Sequence, residues 1–280
     1  MANIGATTAF YKVETSLTRA NNEVSKSMER LATGRQNANA GDRSSYVSMA
    51  DTFRLDYVGT KAGIKSASVV MGFLETGMRV LDSASGLVGR IQELAVLGAN
   101  DTNTAADGAA IDAEANALGV ELNRLLTDAS YKGKKFFGNT SQAANDMAVS
   151  LGGRGAAITF GLSDIKNEAT FTALFAAGAL TTAPSAATTT SELTAKIEAF
   201  QNKLNTARVE AGSQYAAIES AVSYVTDLTA QYELGYNTVN DVNFSMETAH
   251  LAKNQILQQA ATAMLAQANQ GQQGLLQLLS

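Results

Sequence analysis

Apolar residues recur near the start of the chain at Ala6, Phe10, Val13, Leu17, Ala20, Val24, Met28 and Leu31, in steps of three and four. That spacing holds one apolar stripe on a helix near the coiled-coil period. No Gly or Pro interrupts residues 6–33 between Gly5 and Gly34, so the pattern predicts a single helix there. A second uninterrupted stretch, 236–270, lies between Gly235 and Gly271. Met246, Ala249, Ile256, Ala260 and Ala263 fall on one face of it, and Leu257, Ala261, Met264 and Ala268 on a neighbouring face. At 1.5 Å per residue each stretch would span roughly 40–50 Å. A helix apolar on two adjacent faces needs more than one partner, and no folded domain adjoins either terminal stripe in sequence.

Between these ends the period persists. After a polar connection, Gly34–Arg43, helical spacing runs from Ser44 to Leu97 through Phe53, Ile64, Met71, Leu74, Leu81, Val88, Ile91 and Leu94. Gly59, Gly63, Gly72, Gly77, Gly86 and Gly89 interrupt it, each at about 1 kcal/mol in a helix interior. Close backbone packing is the expected compensation. A third helix is expected over Asp107–Ala129 and a fourth from Ser191 through Tyr232. The alternation Met147–Leu151 and the run Ile158–Phe160, joined by a Gly-rich bend at Gly152–Gly155, predict a β-hairpin within 131–165. The small, polar segment 166–190 reads as a short surface excursion. The fold class is mainly α: a long antiparallel helical coiled-coil or bundle rod with a small β-hairpin. Its halves pair in antiparallel fashion, with the termini together at one end.

Composition narrows the function classes. The 280 residues are 45% hydrophobic and 17% charged, with net charge -5, so no footprint for nucleic acid appears. Lys132, Lys134 and Lys135, the tightest basic group, read as a solvated turn. With no Cys there is neither disulfide nor thiolate chemistry. No membrane-spanning run and no cleavable signal peptide are visible, so export would need another route.

Three stretches resemble bacterial flagellin. Arg30-Leu31-Ala32-Thr33-Gly34-Arg35 through Asn39-Ala40-Gly41-Asp42 is similar to the family's Leu-Ser-Ser-Gly-basic segment and the run after it. Gly89–Val96 with Ala99–Asn103 is similar to the segment before its bend, a likeness that continues through Asn123–Phe137. Asp241–Leu279 carries the most specific words, Gln255-Ile256-Leu257-Gln258-Gln259-Ala260 and Leu265-Ala266-Gln267-Ala268-Asn269-Gln270. The resemblance implies a subunit exported unfolded through a flagellar type III channel and polymerised beneath a cap into an extracellular homopolymer used for swimming. Residues 1–43 with 236–280 would form the inner D0 helices and spoke, and 44–165 with 191–235 the D1 rod. Phe10, Val13, Leu17, Val24, Leu31, Ile256, Leu257, Ala260, Met264 and Leu265 become candidate self-assembly positions. Further implied partners are an export chaperone at the C-terminal helix (Asn269–Leu279), hook–filament junction and cap proteins, and the host innate receptor TLR5. For that receptor Arg90, Leu94 and Glu114 match the family, whereas Gly89 and Gln92 depart from it. A hook–filament junction protein, which shares the nested helical ends, is the alternative.

Enzymatic chemistry finds no footing. His250 is the one histidine, so neither a catalytic triad nor a histidine pair for zinc can form. With Glu247 it reads as a helix-surface pair. The acid pairs Asp112 with Glu114 and Asp51 with Asp56 read as exposed helix residues, and no cofactor is expected. Gly152-Gly153-Arg154-Gly155 lacks the Lys-Ser/Thr of a phosphate loop. Thr181, Thr182, Ser185, Thr188, Thr189 and Thr190 are candidate glycosylation positions, because flagellins are often O-glycosylated on outer segments.

An isolated long helix is marginal in water. The terminal stripes, many of their positions only Ala, bury too little apolar surface to offset the entropy of ordering the chain. The sequence therefore predicts ends that are disordered in the monomer and fold on assembly.

Overall fold

A computed structural model describes residues 8–39, 41–137, 146–152, 157–166, 168–176, 179–185 and 190–279. Six helices are described: α1 (Thr8–Thr33), α2 (Ser44–Gly98), α3 (Ala105–Asp128), α4 (Ala169–Leu174), α5 (Thr190–Asn240) and α6 (Phe244–Leu279). Six short strands form three antiparallel pairs: β1 (Ser130–Tyr131) with β2 (Lys134–Lys135), β3 (Met147–Ser150) with β4 (Ala157–Phe160), and β5 (Phe175–Ala176) with β6 (Ala179–Leu180). The mainly helical class with a small antiparallel hairpin is the one the periodicity predicts. The expected hairpin is β3–β4, in which Val149 pairs with Ile158; residues 153–155 of its bend lie outside the described residues.

Local chemistry explains the ends of the elements. Thr104 caps α3 in a capping box: its Oγ1 accepts from the Asp107 N–H, and Asp107 Oδ2 accepts from the Thr104 N–H at 2.9 Å. Lys132 (φ 51°) and Gly133 (φ 78°) form a two-residue turn with both φ positive, which closes β1 on β2 and holds Lys134 and Lys135 exposed. Phe136 and Phe137 follow at once, and both are buried.

The chain divides into two compact units, residues 1–55 with 231–280 and residues 56–230. The second has a continuous core. Phe73 packs at a tilt against Phe136 with ring centroids 4.6 Å apart and meets Phe160 edge-on at 5.8 Å. Leu74, Leu81, Ile91, Leu122, Leu126, Phe200 and Leu204 are buried around them. Glycines in α2 fit the close-packing expectation unevenly. A Cβ at Gly63 would stand 2.9 Å from the Leu151 Cα, whereas Gly86 and Gly89 face open space.

Two expectations are corrected. Segment 166–190 is more than a surface excursion among its described residues: α4 and the β5–β6 pair fold within it, and Phe171, Leu174 and Phe175 are buried, while Thr172, Ala173, Thr181 and Ala183 are exposed. Phe171 lies 5.0 Å from Phe175 and 5.7 Å from Phe200, ring centroid to ring centroid. Phe171 and Leu174 share one face of α4 and Phe175 opens β5; burying each side chain contributes about 1.5–3 kcal/mol. Nor does the chain break at Gly235. Helix α5 continues through it to Asn240, and α6 continues past Gly271 to Leu279.

Candidate assembly interface

The break falls at residues 241–243 because two segments distant in sequence meet there. Gly34 (φ 69°) ends α1, its N–H bonded to the Arg30 carbonyl at 2.8 Å. The chain then bridges antiparallel, Arg35 against Asp241. Gln36 N–H donates to the Asn240 carbonyl at 2.7 Å, and Val242 N–H to the Gly34 carbonyl at 3.1 Å. Asn243 restarts the helix: its Oδ1 accepts from the Met246 N–H at 3.2 Å.

From that base α1 and α6 run antiparallel. Two ties fix their alignment, Gln258 Nε2 donating to Asn21 Oδ1 at 2.6 Å and Arg30 Nη1 lying 3.8 Å from Glu247 Oε1. Along α1 the inward positions are Phe10, Val13, Leu17, Ala20, Val24, Ser27 and Leu31; along α6 they are Glu247, Leu251, Asn254, Gln258, Ala261, Leu265 and Ala268, each buried or half-buried. Both series step by three and four, the seam of a two-stranded coiled coil. Aligned by the ties, the three layers far from the base are apolar throughout: Phe10 with Ala268, Val13 with Leu265, Leu17 with Ala261. The four nearer layers each combine one apolar and one polar residue: Ala20 with Gln258, Val24 with Asn254, Leu251 with Ser27, Leu31 with Glu247.

The candidate assembly positions therefore separate. Phe10, Val13, Leu17, Val24, Leu31 and Leu265 belong to the intrachain seam. Ile256, Leu257 and Met264 stand 65%, 48% and 52% exposed, with Ala260 exposed beside them. Helix α6 thus turns a polar-interrupted face to α1: Ala261 and Ala268 enter the seam, while Ile256, Leu257, Ala260 and Met264 stay uncovered. Tyr11, Met28, Phe244 and Met246 are also exposed. Among the described residues, Ala20, Ala50, Val242 and Ala261 are the buried apolar side chains of this unit. Ala6 lies outside the described residues.

Elsewhere the structure joins residues that sequence spacing left apart. Arg90 Nη2 reaches Glu114 Oε1 on α3 at 2.9 Å, and its Nη1 reaches Glu93 at 2.7 Å. Hydrogen bonds to Glu93, foremost, and to Glu114 raise the Arg90 pKa above the usual arginine value. Leu94, by contrast, is 2% exposed and packs with Ile111 and Ala115. Asp112 is half-buried rather than exposed, accepting from Ser185 N–H at 2.9 Å and Ser185 Oγ at 2.6 Å. Asp56 is buried as well. Glu247 is 8% exposed and reaches across the seam to Arg30, so it is not the surface partner of His250. Thr181 is exposed and donates to the Ala173 carbonyl at 2.6 Å; Thr182 is half-buried. Thr188 and Thr189, and the side chain of Thr190, lie outside the described residues. No group of three or more potential metal ligands occurs among the described residues, and no described helix is long and apolar enough to cross a membrane.

The model of the bacterial flagellin N-terminal helical region matches residues 5–142, and that of the flagellin C-terminal helical region matches 194–279. The chain belongs to the flagellin family. Similarity over most of the chain agrees. A flagellin of Halalkalibacterium halodurans is 26% identical over 259 residues, 92% of each chain. A 33 kDa flagellar filament core protein of Treponema phagedenis is 25% identical over 281 residues, 94% of each. A flagellin of Listeria monocytogenes is 25% identical over 270 residues, again 94% of each. The crystal structure of Bacillus cereus flagellin superposes with TM-score 0.50 at 24% identity, covering 57% of this chain and 88% of that one, a likeness of fold. Both family matches take in the seam helices of this flagellin, and the exposed flank of α6 lies within the C-terminal match.

Proposed function

We propose that the chain is a structural subunit that polymerises with its own copies into the filament of the bacterial flagellum. One observation carries this reading. Among its described residues, the unit built from the two chain ends buries four apolar side chains, Ala20, Ala50, Val242 and Ala261, while Ile256, Leu257 and Met264 remain open to water. A surface of this kind is stable only when a partner covers it, and identical copies carry the same need. The whole-length relatives named as flagellins and filament core proteins support the filament subunit over a hook–filament junction protein.

The ends order as they assemble. Within one chain the α1–α6 seam returns little apolar burial against the entropy of fixing two long helices. In this reading the terminal unit is the D0 layer and residues 56–230 the D1 layer. The subunit leaves the cell unfolded by the type III route, with a chaperone engaging 269–279 and the junction and cap proteins bounding the polymer. Arg90 with Glu114 is the exposed part of the TLR5 surface, and loss of the receptor-cell response in Arg90→Ala tests it. Thr181 is the most open of the described glycosylation candidates; mass spectrometry of native filaments showing it unmodified would remove it.

Electron microscopy after seeding purified protein tests the principal reading. Long filaments are expected from the full chain and none from a chain lacking residues 255–280, whose 56–230 unit still unfolds cooperatively. Filaments from the shortened chain would contradict it.

A further inference from the structure

The two ties and the four mixed layers of the α1–α6 seam lie together, next to the base where Gly34 meets Val242, and the all-apolar layers lie beyond them. A coiled coil of two helices with small side chains such as Ala20, Ala261 and Ala268 has little steric reason to prefer one heptad register over the next. Its stability per layer is nearly the same after a slip of seven residues, about 10 Å along the axis. A polar residue inside a seam changes this, since each register must find it a partner or leave it buried and unpaired.

We propose that Asn21 with Gln258 and Arg30 with Glu247 are register-setting pairs: they select one alignment of α1 on α6 at the expense of seam stability. A slip of one heptad in one direction places Gln258 against Val13, Asn254 against Leu17 and Glu247 against Val24. A slip in the other direction places Asn254 against Leu31. Both slips break both ties. The buried position of Glu247, 8% exposed, makes its loss of Arg30 the larger penalty. Register matters because α1 and α6 turn different surfaces outward. Helix α1 shows Glu14, Thr18, Asn22 and Lys26 to solvent, whereas α6 shows Ile256 and Leu257. A slipped hairpin carries the apolar flank to a different height relative to the polar one, and copies so built cannot stack on a regular lattice. The inference rests on the assembly reading for its purpose, not for its geometry.

The chain has no Cys, so disulfide mapping is unambiguous. Three double variants of the full chain are oxidised, as monomer and after seeding: Leu17→Cys with Ala261→Cys in register, and Phe10→Cys with Ala261→Cys and Leu17→Cys with Ala268→Cys one heptad off. In the seeded filament the first is expected to give the intrachain disulfide and the other two none; in the monomer, whose ends are unordered, none of the three is expected to dominate. With Asn254→Leu, Gln258→Leu and Glu247→Leu added, the off-register products are expected to rise to yields comparable with the in-register one. A subtler variant guards against misfolding of that background: Arg30→Glu should broaden the pattern, and Glu247→Arg added to it should restore the single product. An unchanged single product in the apolar background, failure of the exchanged pair to restore it, or absence of the in-register disulfide from the otherwise unaltered chain in the filament would overturn the proposal. Seeded growth of the Cys-free chain separately scores the assembly reading.

Discussion

Gly98, the last residue of α2, packs beneath Pro184 so closely that a Cβ at position 98 would stand 2.5 Å from the Pro184 carbonyl oxygen. A backbone atom cannot swing aside as the tip of a side chain can. Gly98→Ala is therefore expected to destabilise the chain by about 1–3 kcal/mol through overpacking. Gly86, which faces open space, should respond in the opposite sense, with Gly86→Ala stabilising α2 by up to about 1 kcal/mol. Urea unfolding of the two variants checks both signs.

Phe171 tests whether segment 166–190 is part of the core. It is 6% exposed and packed against Phe175 and Phe200. Phe171→Ala should lower the unfolding free energy by about 3–5 kcal/mol. A change near zero in a denaturant series would return the segment to the surface.

Asp107 gives α3 a pH-dependent start. The hydrogen bond from the Thr104 hydroxyl, first, and that from its backbone N–H hold the Asp107 carboxyl below its ordinary pKa. A depressed carboxyl contributes stability above its unfolded value, near pH 4, and loses it as pH falls through the lower folded value. Protection of the amides at residues 105–108, relative to their intrinsic exchange, should fall below about pH 4 and do so less in Asp107→Ala, which already lacks the carboxylate half of the capping box. Thr104→Ala should cost about 1 kcal/mol at neutral pH.

Ile256 and Leu257 distinguish folding from assembly. Their exposure means that Ile256→Asn or Leu257→Asn should leave the unfolding midpoint of the monomer unchanged. Each should raise the concentration needed for filament growth about tenfold or more, since covering such a side chain contributes about 1.5–3 kcal/mol. Sedimentation of seeded samples reads the effect.

Much of this architecture is legible in the sequence, and what is not has physical causes. The steps of three and four at Phe10–Leu31 mark the seam face of α1 except at Met28, which is exposed while Ser27 enters the seam, and α3 starts at Ala105, two residues before the Asp107 that periodicity marks. The break at 241–243 is invisible locally, because Asp241 and Val242 are held by Arg35 and Gly34 some two hundred residues away. Phe171, Leu174 and Phe175 carry a helical signal only six residues long amid Thr and Ala, and their partner Phe200 lies beyond them in sequence. The seam of α6 is hidden for another reason. Periodicity finds the most apolar face of a helix, whereas α1 takes the face with Glu247, Asn254 and Gln258, leaving Ile256 and Leu257 outside.

In the proposed reading, ordering of the chain ends and polymerisation are coupled. Amide hydrogen exchange at residues 8–33 and 244–270, in dilute monomer and in seeded filament, tests it most directly. Exchange within seconds in the monomer and strong protection in the filament is the predicted result. Equal, strong protection of both segments in the monomer would contradict it.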